Sequence, residues 1–170
     1  MNHDPLGHLS VDGLRSLDEL VADTSSLIYA NKVGFLLILA QTVQLVAPPG
    51  VFRELGGRID PGSGLGLVRH LAHDEQLYEG YDVDAQVIVA AAQEALPVLS
   101  DDLTLLGRAA DREIAGYTVR AMLELLLLRG RVDLETYARF KRSLSSLVRY
   151  AVPLYVAAEE LHWQIRKEIG

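Results

Sequence analysis

The sequence predicts an α/β fold, a three-layer α/β/α sandwich with a central parallel sheet and additional C-terminal helices. Short apolar runs of strand length alternate with helical segments as far as residue 130. Repeated strand-then-helix order is typical of a parallel sheet that is covered by helices on both faces. Polar residues directly follow several of the apolar runs, so they are expected at the carboxyl ends of the strands.

Strands are predicted where short apolar runs are ended by polar residues or proline. The run Glu19–Ala22 ends in a cluster of capping residues, and Val43–Ala47 ends in two prolines and a glycine. Pro97–Leu99 ends in polar residues, and Ile114–Thr118 completes the alternation. A helical segment follows each of these runs, which is the order of a parallel sheet.

Helices are predicted from capping residues, helical apolar periodicity and stops at glycine or proline. The prolines before Val51 are well placed for a helix N-terminus, and Gly56 ends that helix. The Ala, Val and Ile content after Asp84 favours a helix packed tightly against the sheet. The predicted helices are Ser26–Ala30, Phe35–Thr42, Val51–Leu55, Leu67–Leu77, Asp84–Ala95, Leu103–Arg112, Arg120–Leu128, Leu134–Tyr150 and a last helix from Pro153 to Lys167.

The chain has 170 residues, which is enough for one domain with a hydrophobic core. We expect an irregular lead-in over residues 1–18, an α/β domain over 19–130, and a helical extension over 131–170 that packs on the domain or on a partner. The absence of cysteine excludes disulfides, thiolate zinc sites and thiol nucleophiles. No signal peptide and no apolar segment of roughly 20 residues is present, so a cytoplasmic protein with no membrane partner is expected.

The net charge of −7 argues at first sight against a polyanionic partner. However, residues 101–170 hold 11 Lys and Arg against 10 Asp and Glu, whereas residues 1–100 hold 5 against 13. The late basic residues predict a local positive surface, with a solvated helix face as the alternative. These residues are Arg120, Arg129, Arg131, Arg139, Lys141, Arg142 and Arg149.

Four acids lie at or near the predicted carboxyl ends of the strands. Asp23 follows the first strand and Asp102 follows the third, and ligands of open parallel sheets bind at this edge. Asp84 is predicted at the start of the Ala-rich helix. Each of these three aspartates could instead cap the helix that follows it. Glu54 lies one turn into a helix, where capping does not apply.

Four segments resemble the motifs of PIN-domain proteins, in the order of that family. Val21–Ile28 resembles the opening strand and its D-T-S motif, and Val46–Leu55 resembles the segment with proline and V-x-x-E-L. Asp84–Ala92 is similar to the D-A-x-I-x-A-x-A helix, and Val98–Asp102 resembles the L-[ST]-x-D turn. The resemblance covers roughly residues 19–130 and is closest to stand-alone PIN-like proteins and VapC-type toxins.

The resemblance implies a PIN-like, metal-dependent ribonuclease that hydrolyses phosphodiester bonds of single-stranded or structured RNA. Carboxylates that lie close together repel one another unless a cation neutralises them, and all-oxygen ligands suit Mg²⁺ or Mn²⁺. Such an ion can activate water for attack on a phosphodiester. The catalytic and metal-binding residues that the resemblance implies are Asp23, Glu54, Asp84 and Asp102, with Asp101 as the competitor for the fourth position.

The hydroxyl groups beside these acids are expected to hydrogen-bond a carboxylate or a phosphate, so Thr24, Ser25 and Ser100 are predicted substrate-binding residues. Two alternatives to a free-standing nuclease stay open. One is the toxin of a toxin–antitoxin pair, which would bind an antitoxin protein. The other is a catalytically weak PIN-like module that binds nucleic acid or protein. The leucine-rich region after Arg120 would close a homodimer, bind an antitoxin or pack on the domain's own core.

Overall fold

The computed structural model of the protein describes residues 9–71 and 75–170. Within these residues the centre of the molecule is a five-stranded sheet in which all paired strands are parallel. The strands are β1 (Glu19–Ala22), β2 (Gln44–Ala47), β3 (Arg69–His70), β4 (Val98–Leu99) and β5 (Gly116–Tyr117). Their order in the sheet is β3-β2-β1-β4-β5, so β1 is the central strand. The predicted α/β class is confirmed.

Helices flank this sheet. Short 3₁₀ turns at Pro61–Ser63, Leu65–Leu67 and Glu75–Tyr78 lie in the glycine-rich region between β2 and the fifth helix. Among the described residues, no helix is both long enough and apolar enough to span a membrane. The helices are α1 (Val11–Arg15), α2 (Thr24–Val33), α3 (Leu36–Thr42), α4 (Pro49–Leu55), α5 (Val83–Glu94), α6 (Leu103–Ala110), α7 (Val119–Leu128), α8 (Leu134–Leu147) and α9 (Val152–Ile169).

Strands β1 and β2 are buried after their half-buried first residues, which explains their apolar sequences. Leu20, Val21 and Ala22 of β1 have no exposed surface, and the same holds for Leu45–Ala47 of β2. Strands that are covered on both faces read as continuous apolar runs. Val21 is paired with Val46 on one side and with Val98 on the other. The residues that follow β1, β2 and β4 therefore emerge at the same edge of the sheet.

Two predicted segments differ from the structure. The lead-in is not irregular throughout, because Ser10 caps the short helix α1 and Leu14 is buried in the main core. The helix predicted over Leu67–Leu77 is wrong in its described residues, because Arg69 and His70 form a strand that pairs with β2 and Glu75–Tyr78 is a 3₁₀ turn. Residues 72–74 of that segment lie outside the described residues. Both differences concern short elements that tertiary contacts stabilise, since neither carries a long apolar pattern.

The C-terminal helices pack on the rest of the chain. Helix α7 is buried along almost its whole length and contacts both α8 and α9. Phe140 and Leu144 of α8 and Ile165 of α9 belong to the same apolar core as the strands. The side of α9 opposite Ile165 faces solvent, and Trp163 on that side is 65% exposed. The leucine-rich region is thus used mainly for packing within the chain.

Candidate active site

Asp23 lies at the centre of the carboxyl edge, directly after β1. Its Oδ1 accepts a hydrogen bond from the Ser26 backbone N–H at 2.7 Å, which caps α2. Its Oδ2 accepts a hydrogen bond from the Ser100 hydroxyl at 2.5 Å. Burial raises the pKa of Asp23, and the negative charge of Asp84 raises it further. Capping is therefore the role of one carboxylate oxygen, while the second oxygen is held by a residue that follows β4.

Glu54 lies in the last turn of helix α4, beside the start of α2. The Thr24 hydroxyl at the start of α2 donates a hydrogen bond to Glu54 Oε2 at 2.6 Å. Thr24 is buried, whereas the side chain of Glu54 is largely exposed. Thr24 was predicted to hydrogen-bond a carboxylate or a phosphate, and its hydroxyl binds the carboxylate of Glu54. Its contact with substrate stays a prediction. The contact joins the segments that follow β1 and β2.

Asp84 does not cap its helix. Asp82 is the N-cap of α5 and accepts a hydrogen bond from the Ala85 N–H at 2.7 Å. Partial burial raises the pKa of Asp84, and the charges of Asp102 and Glu54 raise it further. Because Asp82 is the cap, the capping alternative is wrong for Asp84. Asp84 is exposed in the first turn of the helix, where the charges of Asp102, Asp82 and Glu54 raise its pKa and that of Arg108 lowers it.

The side chains of the adjacent residues Asp101 and Asp102 lie in different surroundings. Asp101 accepts hydrogen bonds from the Val119 N–H at 2.9 Å and from the Tyr150 hydroxyl at 3.0 Å, so both of its oxygens have partners. Its burial raises its pKa to about 7. Asp102 caps α6 through Oδ1, which accepts from the Thr104 N–H at 2.7 Å. Its Oδ2 has no hydrogen bond within the described residues, which favours Asp102 over Asp101 as the fourth acid.

The two predicted serines have different positions. Ser100 is fully buried, donates to Asp23 and accepts a hydrogen bond from the Asp102 N–H at 3.0 Å. Its hydroxyl holds Asp23 and the turn after β4 together. Its contact with substrate stays a prediction. Ser25 lies exposed in the first turn of α2. Its proposed contact with substrate stays a prediction.

The four acids share one edge of the sheet, but they do not form a closed cage. In residues 9–71 and 75–170, no three Asp, Glu or His side chains lie close enough to hold a metal ion as they stand. Electrostatic coupling nevertheless links Asp84 to Asp23, Asp102 and Glu54. The donors are all carboxylate oxygens, the type that Mg²⁺ and Mn²⁺ prefer. The donor set thus fits these ions in its chemistry.

A buried ionic network lies beside this edge and was not predicted. Glu124 on α7 has no exposed surface and accepts hydrogen bonds from Arg120 Nε at 3.1 Å and from the Tyr137 hydroxyl. Its other oxygen lies 3.0 Å from Nδ1 of His162, and Arg120 also donates to Glu159 at 3.2 Å. The network fastens α8 and α9 to α7. Arg120 and Glu124 lie one turn apart on α7, but the other contacts join different helices, so the sequence alone does not show the network.

Part of the predicted positive surface is internal. Arg120 is only 4% exposed because it belongs to the ionic network. Arg129 donates to the backbone carbonyls of Leu17 at 2.6 Å and Thr42 at 3.3 Å. The predicted basic surface is therefore wrong for these two residues, since their guanidinium groups fasten α7 to the chain. Arg131 and Arg142 of the same group are exposed.

No protein-family model matches the chain. No curated protein is similar to it at a significant level. Among solved structures, the chain is similar to a PilT N-terminus domain protein from the hyperthermophilic archaeon Sulfolobus solfataricus P2. The two are 16% identical with a TM-score of 0.48, over 64% of this chain and 93% of that chain. A similarity at this level defines neither a family nor an activity.

Proposed function

We propose that the protein is a metal-dependent nuclease of the PIN type that hydrolyses RNA with Asp23, Glu54, Asp84 and Asp102. One observation carries the proposal. Acids from four motifs spread between residues 23 and 102 come to the same carboxyl edge of a parallel sheet, where they are electrostatically coupled. A buried acid such as Asp23 with other acids near it at such an edge is typical of functional sites.

The roles of the residues follow from their contacts. Asp23 is the central ligand, because two hydrogen bonds fix its carboxylate. Asp84 and the free oxygen of Asp102 complete the ligand set, and Glu54 is oriented by Thr24 to hold an ion or a water. Mg²⁺ or Mn²⁺, when bound, supplies a more acidic water and offsets negative charge on the phosphodiester. The protein's own task is to hold the carboxylates at one edge against their repulsion.

The test is cleavage of labelled RNA by the purified protein with Mn²⁺, with Mg²⁺, and with EDTA. We expect cleavage with either ion and none with EDTA. Asp84→Asn should reduce the rate by about 100-fold or more, the size expected when a charge-stabilising group is removed. Asp82→Asn is the matched control, since it removes the same charge two residues away and asparagine still caps a helix. Equal rates for the two variants would contradict the proposed site.

A binding module without turnover is the second candidate. The observation that favours it is that no closed metal cage exists among the described acids. In that case the protein binds RNA and leaves it intact with every divalent ion. The cleavage assay separates the two functions when it is combined with a measurement of RNA binding.

A second copy of the chain is the protein partner that we propose, and it would bind the solvent face of α9. Val152 and Trp163 on this face are 75% and 65% exposed, and Val156 lies between them. Glu160 and Lys167 lie seven residues apart on one flank, so antiparallel pairing about Trp163 brings opposite charges together. Native mass measurement of wild type and Trp163→Ala is the test. A monomeric wild type would contradict the homodimer and leave the antitoxin of a VapC-like toxin as the partner to test.

A further inference from the structure

A cavity of about 390 Å³ lies next to the acidic edge, between α4 and the segment that enters α5. Pro49 and Arg53 of α4 line one side, and Glu79 and Tyr81 line the other. Arg53 immediately precedes Glu54, and Tyr81 stands three residues before Asp84. The cavity is therefore lined by residues of α4 and α5 or of the segment before α5, and these two helices carry Glu54 and Asp84. Its volume is in the range of small-ligand sites.

A buried amide builds the wall of this cavity. Gln86 is only 3% exposed, its Oε1 accepts from the Gly50 N–H at 2.9 Å, and its Nε2 donates to the Tyr81 carbonyl at 3.0 Å. A side-chain Cβ at position 50 would lie 2.5 Å from Gln86 Oε1, so glycine is required there. This single side chain thus fixes the start of α4 against the backbone of Tyr81.

The cavity offers one aromatic surface and one unpaired cation. The Tyr81 side chain is 51% exposed, although it lies on a segment whose backbone is held. The Arg53 guanidinium is exposed and has no ion pair or side-chain hydrogen bond in the described part of the chain. An exposed aromatic ring binds unpaired bases by stacking, and an arginine binds phosphate. Glu79 places an acceptor on the same side as the ring, where it favours a base with an exocyclic amino group over a phosphate.

We propose that this cavity is a nucleotide subsite for single-stranded RNA, in which a base stacks on Tyr81 and the neighbouring phosphate contacts Arg53. The strand then continues towards Glu54 and Asp84. A base inside a duplex is stacked on its neighbours and cannot reach a ring in a cavity, so the subsite selects unpaired RNA. The identity of the adjacent acids as the cleavage site rests on the proposed function, whereas occupation of the subsite is measurable without cleavage.

The experiment is fluorescence anisotropy of a labelled oligocytidylate of about ten nucleotides, within the usual range of single-strand site sizes. All proteins carry Asp84→Asn to prevent turnover. Added to this background, Tyr81→Ala should weaken binding by about 10-fold, whereas Tyr81→Phe keeps the ring and should bind within about 3-fold of the parent. Arg53→Ala should also weaken binding and should reduce its dependence on salt.

Tyr155→Ala is the matched control, because Tyr155 is 55% exposed and lies on α9 away from the cavity. Binding that falls equally in Tyr81→Ala and Tyr155→Ala, or in neither, overturns the subsite. Equal affinity for the duplex of the same sequence overturns it as well. Ring-dependent binding by a protein whose wild type never cleaves RNA would leave the subsite standing and remove the nuclease function. If the wild type cleaves RNA and neither cleavage nor binding changes in Tyr81→Ala, the subsite is overturned and the nuclease function stands.

Discussion

The molecule holds two groups of acidic residues whose surroundings differ in kind. Glu124 in the α7–α9 network is completely buried and faces opposite charge and donors, namely Arg120, Tyr137 and His162. At the carboxyl edge, Asp84 is exposed and its charged neighbours are mostly other acids. No buried side-chain nitrogen or oxygen in the described residues lacks a hydrogen-bond partner. Glu124 and its donors stabilise the packing of the helices, whereas the exposed Asp84, whose neighbours are mostly acids, is available for a cation.

The largest effect on stability is expected at Glu124, in the buried network. Glu124→Leu should lower the free energy of unfolding by about 3 to 5 kcal/mol, because it leaves the buried Arg120 without its main partner. Urea denaturation followed by circular dichroism measures this change. Glu135→Leu, at an exposed acid in the first turn of α8, is the control and should stay within about 1 kcal/mol of wild type. A small effect at Glu124 would mean that the network does not hold α8 and α9.

Asp101 gives the next largest effect, and it depends on pH. Its pKa in the folded protein is about 7, above the value of 3.8 for an ordinary aspartate, because the carboxyl is buried. Between these two values the folded state keeps a proton that the unfolded state has lost, so stability must fall as the pH rises from about 4 to about 7 and level off above that. We expect a loss of a few kcal/mol between about pH 5 and pH 8, measured in EDTA by urea denaturation at each pH.

The variant Asp101→Asn tests whether Asp101 causes this pH dependence. Its amide can accept from the Val119 N–H and donate to the Tyr150 oxygen, so both contacts of the protonated carboxyl survive. The variant should lose most of the pH dependence and should be more stable than wild type at about pH 8. An unchanged pH profile would show that another group titrates in this range.

The smallest effect on stability is expected at Asp84. Asp84→Asn removes a charge that other acids repel, so the free energy of unfolding should stay equal or rise slightly, within about 0.5 kcal/mol. Thermal unfolding of this variant beside Glu124→Leu gives the contrast directly. A clear destabilisation by Asp84→Asn would place this residue with the structural acids.

Much of the sheet could be predicted from the sequence, because β1 and β2 have a local apolar pattern. Strands β1 and β2 are continuous apolar runs with clear stops, and burial on both faces produces that pattern. Strand β3 consists of two exposed residues, Arg69 and His70, and carries no such pattern. Helix α1 is five residues long and depends on the burial of Val11 and Leu14 against the core. Short elements of this kind are visible only once the chain has folded.

The candidate site also has a part that could be predicted from the sequence and a part that could not. Its four acids could be named because each stands in a contiguous motif of the sequence. Their partners could not: Ser100 contacts Asp23 across 77 residues, and Thr24 contacts Glu54 across 30. The difference between Asp101 and Asp102 also depends on distant groups, since Tyr150 lies 49 residues from Asp101. Sequence motifs supply the candidate residues, and only the fold shows which of them already have hydrogen-bond partners within the chain.

The adjacent residues Asp101 and Asp102 provide the most direct test of the central claim. The measurement is the rate of Mn²⁺-dependent RNA cleavage by Asp101→Asn and Asp102→Asn, side by side with wild type. Asp102→Asn should lose about 100-fold or more, because it removes the carboxylate with a free oxygen, and Asp101→Asn should stay within about 3-fold. Equal losses, or a larger loss in Asp101→Asn, would contradict the assignment of the fourth position to Asp102.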